Sequence, residues 1–139
     1  MLTYDPRKIT IAFGGKTLTG MAEDDMVKIK PLGDGAKQYV GADGEVARSM
    51  DPNRTFEVTV SLASTSKSND YLSRIYNMDR TNGSGVLPLL IKDLSGTTLI
   101  QGNAYIANFP EAGKGREIDS QDWVFNTDNI DDAIFGGNN

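Results

Sequence analysis

Residues 55–78, TFEVTVSLASTSKSNDYLSRIYNM, contain two different periods in quick succession. Phe56, Val58, Val60 and Leu62 alternate with Glu57, Thr59 and Ser61, the pattern of a strand with one face in a core. Leu72, Ile75 and Tyr76 then recur at i, i+3 and i+4, the pattern of a helix with one apolar stripe. The spacing predicts a helix over about 68–79. Ser66 or Ser68 offers a hydroxyl to its first-turn amides, and Asp70 places a negative charge where the helix dipole favours it. Asn82-Gly83-Ser84-Gly85 ends the helix and supplies a loop.

Outward from this pair, nearly everything reads as strand or turn. Ile9, Ile11 and Phe13 alternate with polar or small neighbours, and Gly14-Gly15 invites a hairpin into Lys16–Met21. Glu23-Asp24-Asp25 reads as an acidic turn, and Met26–Lys30 alternates until Pro31, which cannot donate to a ladder. Leu87–Asp93 is an apolar run and Thr98–Phe109 a long strand, with a bulge expected near Gly102. Pro110–Gly115 reads as a loop, Gln121–Thr127 as the last strand, and Asn129 onward as a weakly structured end. The fold class is therefore mainly β, with one helix, and residues 1–139 are expected to form a single domain.

Composition narrows the chemistry. The chain has no histidine and no cysteine, which removes disulfides, thiolate metal sites and histidine catalysis. No apolar run approaches the roughly 18 residues that cross a bilayer, and the first residues lack the pattern of a signal peptide. Synthesis and folding in the cytoplasm are the expectation. The net charge of −5 is uneven: residues 1–116 hold 14 basic and 13 acidic residues, whereas residues 117–139 hold six acids and no base. That asymmetry reads as a solvated tail or an interaction surface. No basic stripe interleaved with aromatics points to nucleic-acid affinity.

The remaining candidates for chemistry are carboxylates. Asp43 with Glu45, or Asp119 with Asp122, could be imagined as a glycosidase-like pair, yet each stands in a turn or at a strand end, where solvated acids belong. Gly33-Asp34-Gly35 and Gly41-Ala42-Asp43-Gly44 lack the oxygen-ligand pattern of a calcium loop and the following Gly-Lys-Ser/Thr of a phosphate loop. They are turns. Trp123 beside acids could stack on a sugar, but its alternation with Phe125 favours the core. No cofactor and no metal are expected.

Residues 31–51 form a long excursion that is rich in glycine and still carries Leu32, Tyr39, Val40, Val46 and Met50. Either it folds over its own core, or these side chains pack against another copy of the chain.

The stretch Val40-Gly41-Ala42-Asp43-Gly44-Glu45-Val46-Ala47-Arg48-Ser49, the strand Thr55–Leu62 and the helix residues Asn69–Tyr76 together resemble the tail tube proteins of contractile-tailed bacteriophages. The likeness covers about residues 26–80. It implies a small β-barrel or sandwich with one flanking helix, a fold shared with type VI secretion tube proteins. It also implies six copies closing into a ring, rings stacking into a tube inside a sheath, and DNA passing through without specific binding. The implied partners are the chain itself, sheath, baseplate and tail terminator proteins, with no membrane and no small-molecule substrate. The implied location is the virion tail, after assembly in the host cytoplasm. The interface role would fall to Leu32, Tyr39, Val40, Glu45, Val46 and Arg48. The outward face of the central strand, Glu57, Thr59 and Ser61, becomes the candidate lumen wall, and an overall acidic charge suits a conduit for phosphates. The alternatives are a tube subunit of a DNA-free injection particle and, more distantly, a monomeric β-sandwich that binds carbohydrate through Trp123.

Overall fold

A computed structural model describes residues 8–22, 26–111 and 118–137. The acidic turn Glu23–Asp25, the first residues and most of the Pro110–Gly115 loop lie outside this set. The elements in chain order are β1 (Ile9–Phe13), β2 (Lys16–Thr17), β3 (Val27–Pro31), β4 (Ala36–Val40), β5 (Val46–Met50), β6 (Phe56–Ala63), α1 (Ser68–Asn82), β7 (Leu87–Asp93), β8 (Leu99–Asn108) and β9 (Ser120–Thr127).

Seven strands form one sheet in the order β2-β1-β7-β8-β9-β6-β3, and β4 and β5 form a separate hairpin. All neighbours are antiparallel. The domain is mainly β with one helix, as the sequence indicates, and the sheet does not close into a barrel, because β2 and β3 end it. After β2 the chain crosses to the far side of the sheet, where Met21 pairs with Leu62 and the Ala63 N–H donates to the Gly20 carbonyl (2.8 Å).

The alternation in β6 is complete: Phe56, Val58, Val60 and Leu62 are buried and the residues between them are partly exposed. They meet Ile11 and Phe13 of β1, Leu89 and Ile91 of β7, Ile100 and Ile106 of β8, and Trp123 and Phe125 of β9 in one core. Phe13 and Phe125 touch edge to face, with centroids 4.9 Å apart. The β1–β2 turn uses Gly14 and Gly15 with φ of +64° and +83°, the backbone that two-residue hairpins demand. The partner strand is two residues long, because Leu18 turns inward to a buried position.

Helix α1 covers this core with Leu72 and Ile75, and the Tyr71 hydroxyl donates to the Phe13 carbonyl (2.8 Å). It runs three residues past the expected end and stops at Gly83, which takes φ +72° and donates to the Asp79 carbonyl. Of the two serines expected at the N-terminus, Ser66 serves a first-turn amide and Ser68 does not. The Ser68 hydroxyl accepts from the Thr19 N–H (3.0 Å), while Ser66 Oγ accepts from the Ser68 N–H (3.1 Å) and donates to the Thr19 carbonyl (2.5 Å). The serines therefore tie the helix to the crossing segment after β2, and no side chain caps it at Lys67.

Two further expectations are corrected. The irregularity in β8 lies between Ile106 and Asn108, not at Gly102. Gly102 faces the core side with Ile100 and Ala104, and the room left by its missing side chain is taken by Ile130, whose Cγ1 and Cδ1 would stand 3.0 and 3.2 Å from a Cβ there. The segment after β9 is correspondingly ordered against the body: Ile130 is buried, and Ile134 bridges to Leu99.

Candidate assembly surface

The β4–β5 hairpin stands away from the core. Every residue of both strands is exposed, including Tyr39 (67 %), Val40 (58 %), Val46 (60 %) and Met50 (62 %). The excursion therefore does not fold over its own core. Val40 pairs with Val46, Gln38 with Arg48 and Ala36 with Met50. Directly opposite residues share a face, and faces alternate along a strand. Val40, Val46 and Arg48 consequently lie on one face with Met50, and Tyr39 lies on the other with Ala47. Glu45 belongs to the tip, and Leu32 to the root beside β3. The six residues expected at an interface are thus distributed over two faces, a tip and a root.

The tip is built by backbone bonds. Gly41 N–H donates to the Glu45 carbonyl (2.8 Å), Gly44 N–H to the Gly41 carbonyl (2.9 Å), and Glu45 N–H to Asp43 Oδ1 (3.1 Å). Asp43 serves as a turn former in that last contact, the ordinary use of aspartate at such a position.

The root is centred on Asp51. Its Oδ2 accepts from the Asp34 N–H (2.8 Å) and its Oδ1 from the Asn53 N–H (3.0 Å), while its own N–H donates to the Gly35 carbonyl (2.6 Å). Asn53 Oδ1 in turn accepts from the Thr55 N–H and hydroxyl, and the Leu32 N–H donates to the Thr55 carbonyl. The Asp34 amide first, and the Asn53 amide second, hold the Asp51 carboxyl below its ordinary value against a weaker opposing desolvation, and the Lys37 charge adds the smallest contribution. Gly33 is required by space, because a Cβ would run into the Asn53 carbonyl oxygen.

Glu57, Thr59 and Ser61 share the solvent side of β6. In register beside them stand Asn126, Val124 and Asp122 of β9 and, on β3, Lys30 opposite Glu57 and Lys28 opposite Thr59. The Ser61 hydroxyl donates to Asp122 Oδ1 (2.6 Å) at an open cleft of about 610 Å³ that Lys28 and Asp119 also line. This face carries both signs of charge. The described acids of the C-terminal segment do not form one tail: Asp119 and Asp122 lie at the start of β9, and Asp128, Asp131 and Asp132 lie beyond its other end. Trp123 is buried, and its Nε1–H donates to Asn69 Oδ1 (2.9 Å), so it presents no stacking surface to a sugar. Among the described residues no cluster of histidine, cysteine or acids is arranged to hold a metal, and no helix is long and apolar enough to cross a membrane.

The described residues thus form an antiparallel sheet around one core, a helix over it and an exposed hairpin carrying apolar side chains. The family of the bacteriophage PhiTE tail tube protein matches residues 9–136, and the chain belongs to it. Structural protein ORF10 of Pseudomonas phage KPP10 is 38 % identical over 136 residues, covering 91 % of this chain and 79 % of that protein. The tube terminating cap of the anti-feeding prophage has the same fold, with a TM-score of 0.64 over 93 % of this chain and 89 % of that one at 12 % identity. The chain is thus a structural protein of the phage tail tube.

Proposed function

We propose that this chain is one tail-tube domain that closes into hexameric rings, that the rings stack into the tube, and that DNA passes through it. The observation that carries this reading is the β4–β5 hairpin, whose Tyr39, Val40, Val46 and Met50 are all exposed in the isolated chain. Apolar residues on a protrusion gain free energy when a neighbour removes them from water, at roughly 25 cal/mol per Å² buried. Two apolar-bearing faces suit a hairpin inserted between neighbours, with Val40, Val46 and Arg48 addressing one and Tyr39 another. Among the described residues β2 and β3 are the two ends of the sheet, and a ring satisfies sheet edges by closure.

Glu57, Thr59 and Ser61 belong to the lumen wall in this reading. Lys28 and Lys30 beside them temper the acidic field anticipated from net charge, so hydroxyls, amides and balanced charges face the DNA. Sheath, baseplate and terminator proteins are the partners, and assembly takes place in the host cytoplasm. Kinship to a phage protein favours a DNA-carrying tube over a DNA-free particle.

Negative-stain electron microscopy of the concentrated chain, alone and with baseplate seeds, tests the proposal. Sixfold rings or hollow tubes are expected from the wild type, and none from Tyr39→Asp/Val40→Asp. Normal tubes from the double variant would remove the hairpin from the interface, and a seeded wild type that stays monomeric would overturn the tube reading.

A further inference from the structure

Among the described residues, the hydrogen bonds that join the hairpin to the body lie at its two ends. One end is held by the Leu32–Thr55 bond and the Asp51 knot. The other passes through Arg54, and Arg54 is gripped by the segment after β9. Its N–H donates to Asn129 Oδ1 (3.0 Å), its carbonyl accepts from the Ile130 N–H (3.0 Å), and its Nε stands 3.0 Å from Asp131 Oδ1. That segment is itself anchored far away in sequence. Ile134 and Leu99 exchange two backbone bonds (2.9 and 3.0 Å), and Thr98 Oγ1 donates to the Gly136 carbonyl (2.9 Å). Ile130 plugs the space over Gly102, and the Phe135 ring lies 5.9 Å from that of Phe56, the first residue of β6.

We infer that residues 129–137 are a strap that fixes the direction of the β4–β5 hairpin through Arg54. Without it, the residue joining the Asp51 knot to β6 would be held from one side only, and the whole hairpin would pivot there. With it, the hairpin is oriented before a neighbour arrives, which lowers the ordering cost of association. The assembly half of this inference rests on the tube reading. The orientation half belongs to the isolated chain and is measurable there.

The probe is Gly102→Val in the full chain. Gly102 does not require positive φ, so β8 admits valine, and Ile130 supplies the atoms that its Cβ would meet within 4 Å. Amide hydrogen exchange of the soluble chain is the readout. The Ile130 and Ile134 amides and the root amides of Leu32, Asp34 and Asp51 are expected to exchange about tenfold faster, while Val58 and Val60 keep their protection. Root amides that retain wild-type rates while Ile130 and Ile134 are freed would overturn the inference. If Val58 and Val60 lose protection as well, Asn129→Ala/Asp131→Ala replaces the wedge, since it removes both side-chain links at exposed positions. Root exchange about threefold faster then supports the strap, and unchanged root exchange overturns it. A wild type that never forms tubes would remove the assembly role and leave the exchange result standing.

Discussion

Asn69 joins three parts of the molecule with one amide group. Its Nδ2 donates to the carbonyls of Ala63 (2.9 Å) and Ser66 (3.1 Å), and its Oδ1 accepts from Trp123 Nε1 (2.9 Å). Asn69→Ala leaves a buried indole N–H without its acceptor and frees the turn between β6 and α1. We expect a loss of about 1–3 kcal/mol, read as a lower urea midpoint at unchanged slope. The burial of Trp123 was legible in the alternation with Phe125, whereas the role of Asn69 was not. An asparagine near a helix start reads as a local capping residue, and a partner on a distant strand leaves no periodic trace nearby. Ser68 escaped for the same reason, since its hydroxyl serves Thr19 rather than its own helix.

At the level of the element, the hairpin and the strap mark the two limits of what local pattern conveys. The excursion at residues 31–51 was legible from its glycine-aspartate turns and the apolar side chains it still carries, and it holds the strands Ala36–Val40 and Val46–Met50. Their exposure was left open, because an apolar residue on a hairpin is equally consistent with burial beneath it or against a neighbour. The strap was read as a weakly structured end, because its order comes from single bonds to Arg54, Leu99 and Thr98 rather than from any period of its own. The hairpin root also carries a pH dependence of definite sign. Asp51 is held below its ordinary value, so its ionised form supports the root at any pH above that value. The support is lost as pH falls through the depressed folded value. The Asp34 and Asn53 amides are therefore expected to keep constant protection from roughly pH 5 to 8 and to lose it only below about pH 4, with Asp51→Asn showing no such acid step. The Asp34–Lys37 ion pair, largely solvated at 3.2 Å, adds little to this response.

For the molecule as a whole, no residue of β4 or β5 belongs to the core. The core draws on the alternation of β1 and β6 and on the apolar run of β7, which is why these strands and the helix follow closely from the sequence. Sheet order and the open edges do not, since each strand's pairing partner is set by distant contacts. The Tyr39→Asp/Val40→Asp variant should unfold at the same urea midpoint as the wild type, within about 0.5 kcal/mol, because both side chains are exposed. A large loss would show that the hairpin supports the fold rather than extending from it.

The place of β9 in the sheet has a consequence for synthesis. It lies between β6 and β8, although both precede it in the chain. On a ribosome adding roughly 5–20 residues per second, the hairpin emerges several seconds before the strand and strap that complete its base. Throughout that interval β6 lacks a neighbour on one side and Arg54 lacks its grip. A nascent chain therefore carries its hairpin on an unfinished base until translation has passed the last strand and the segment that follows it.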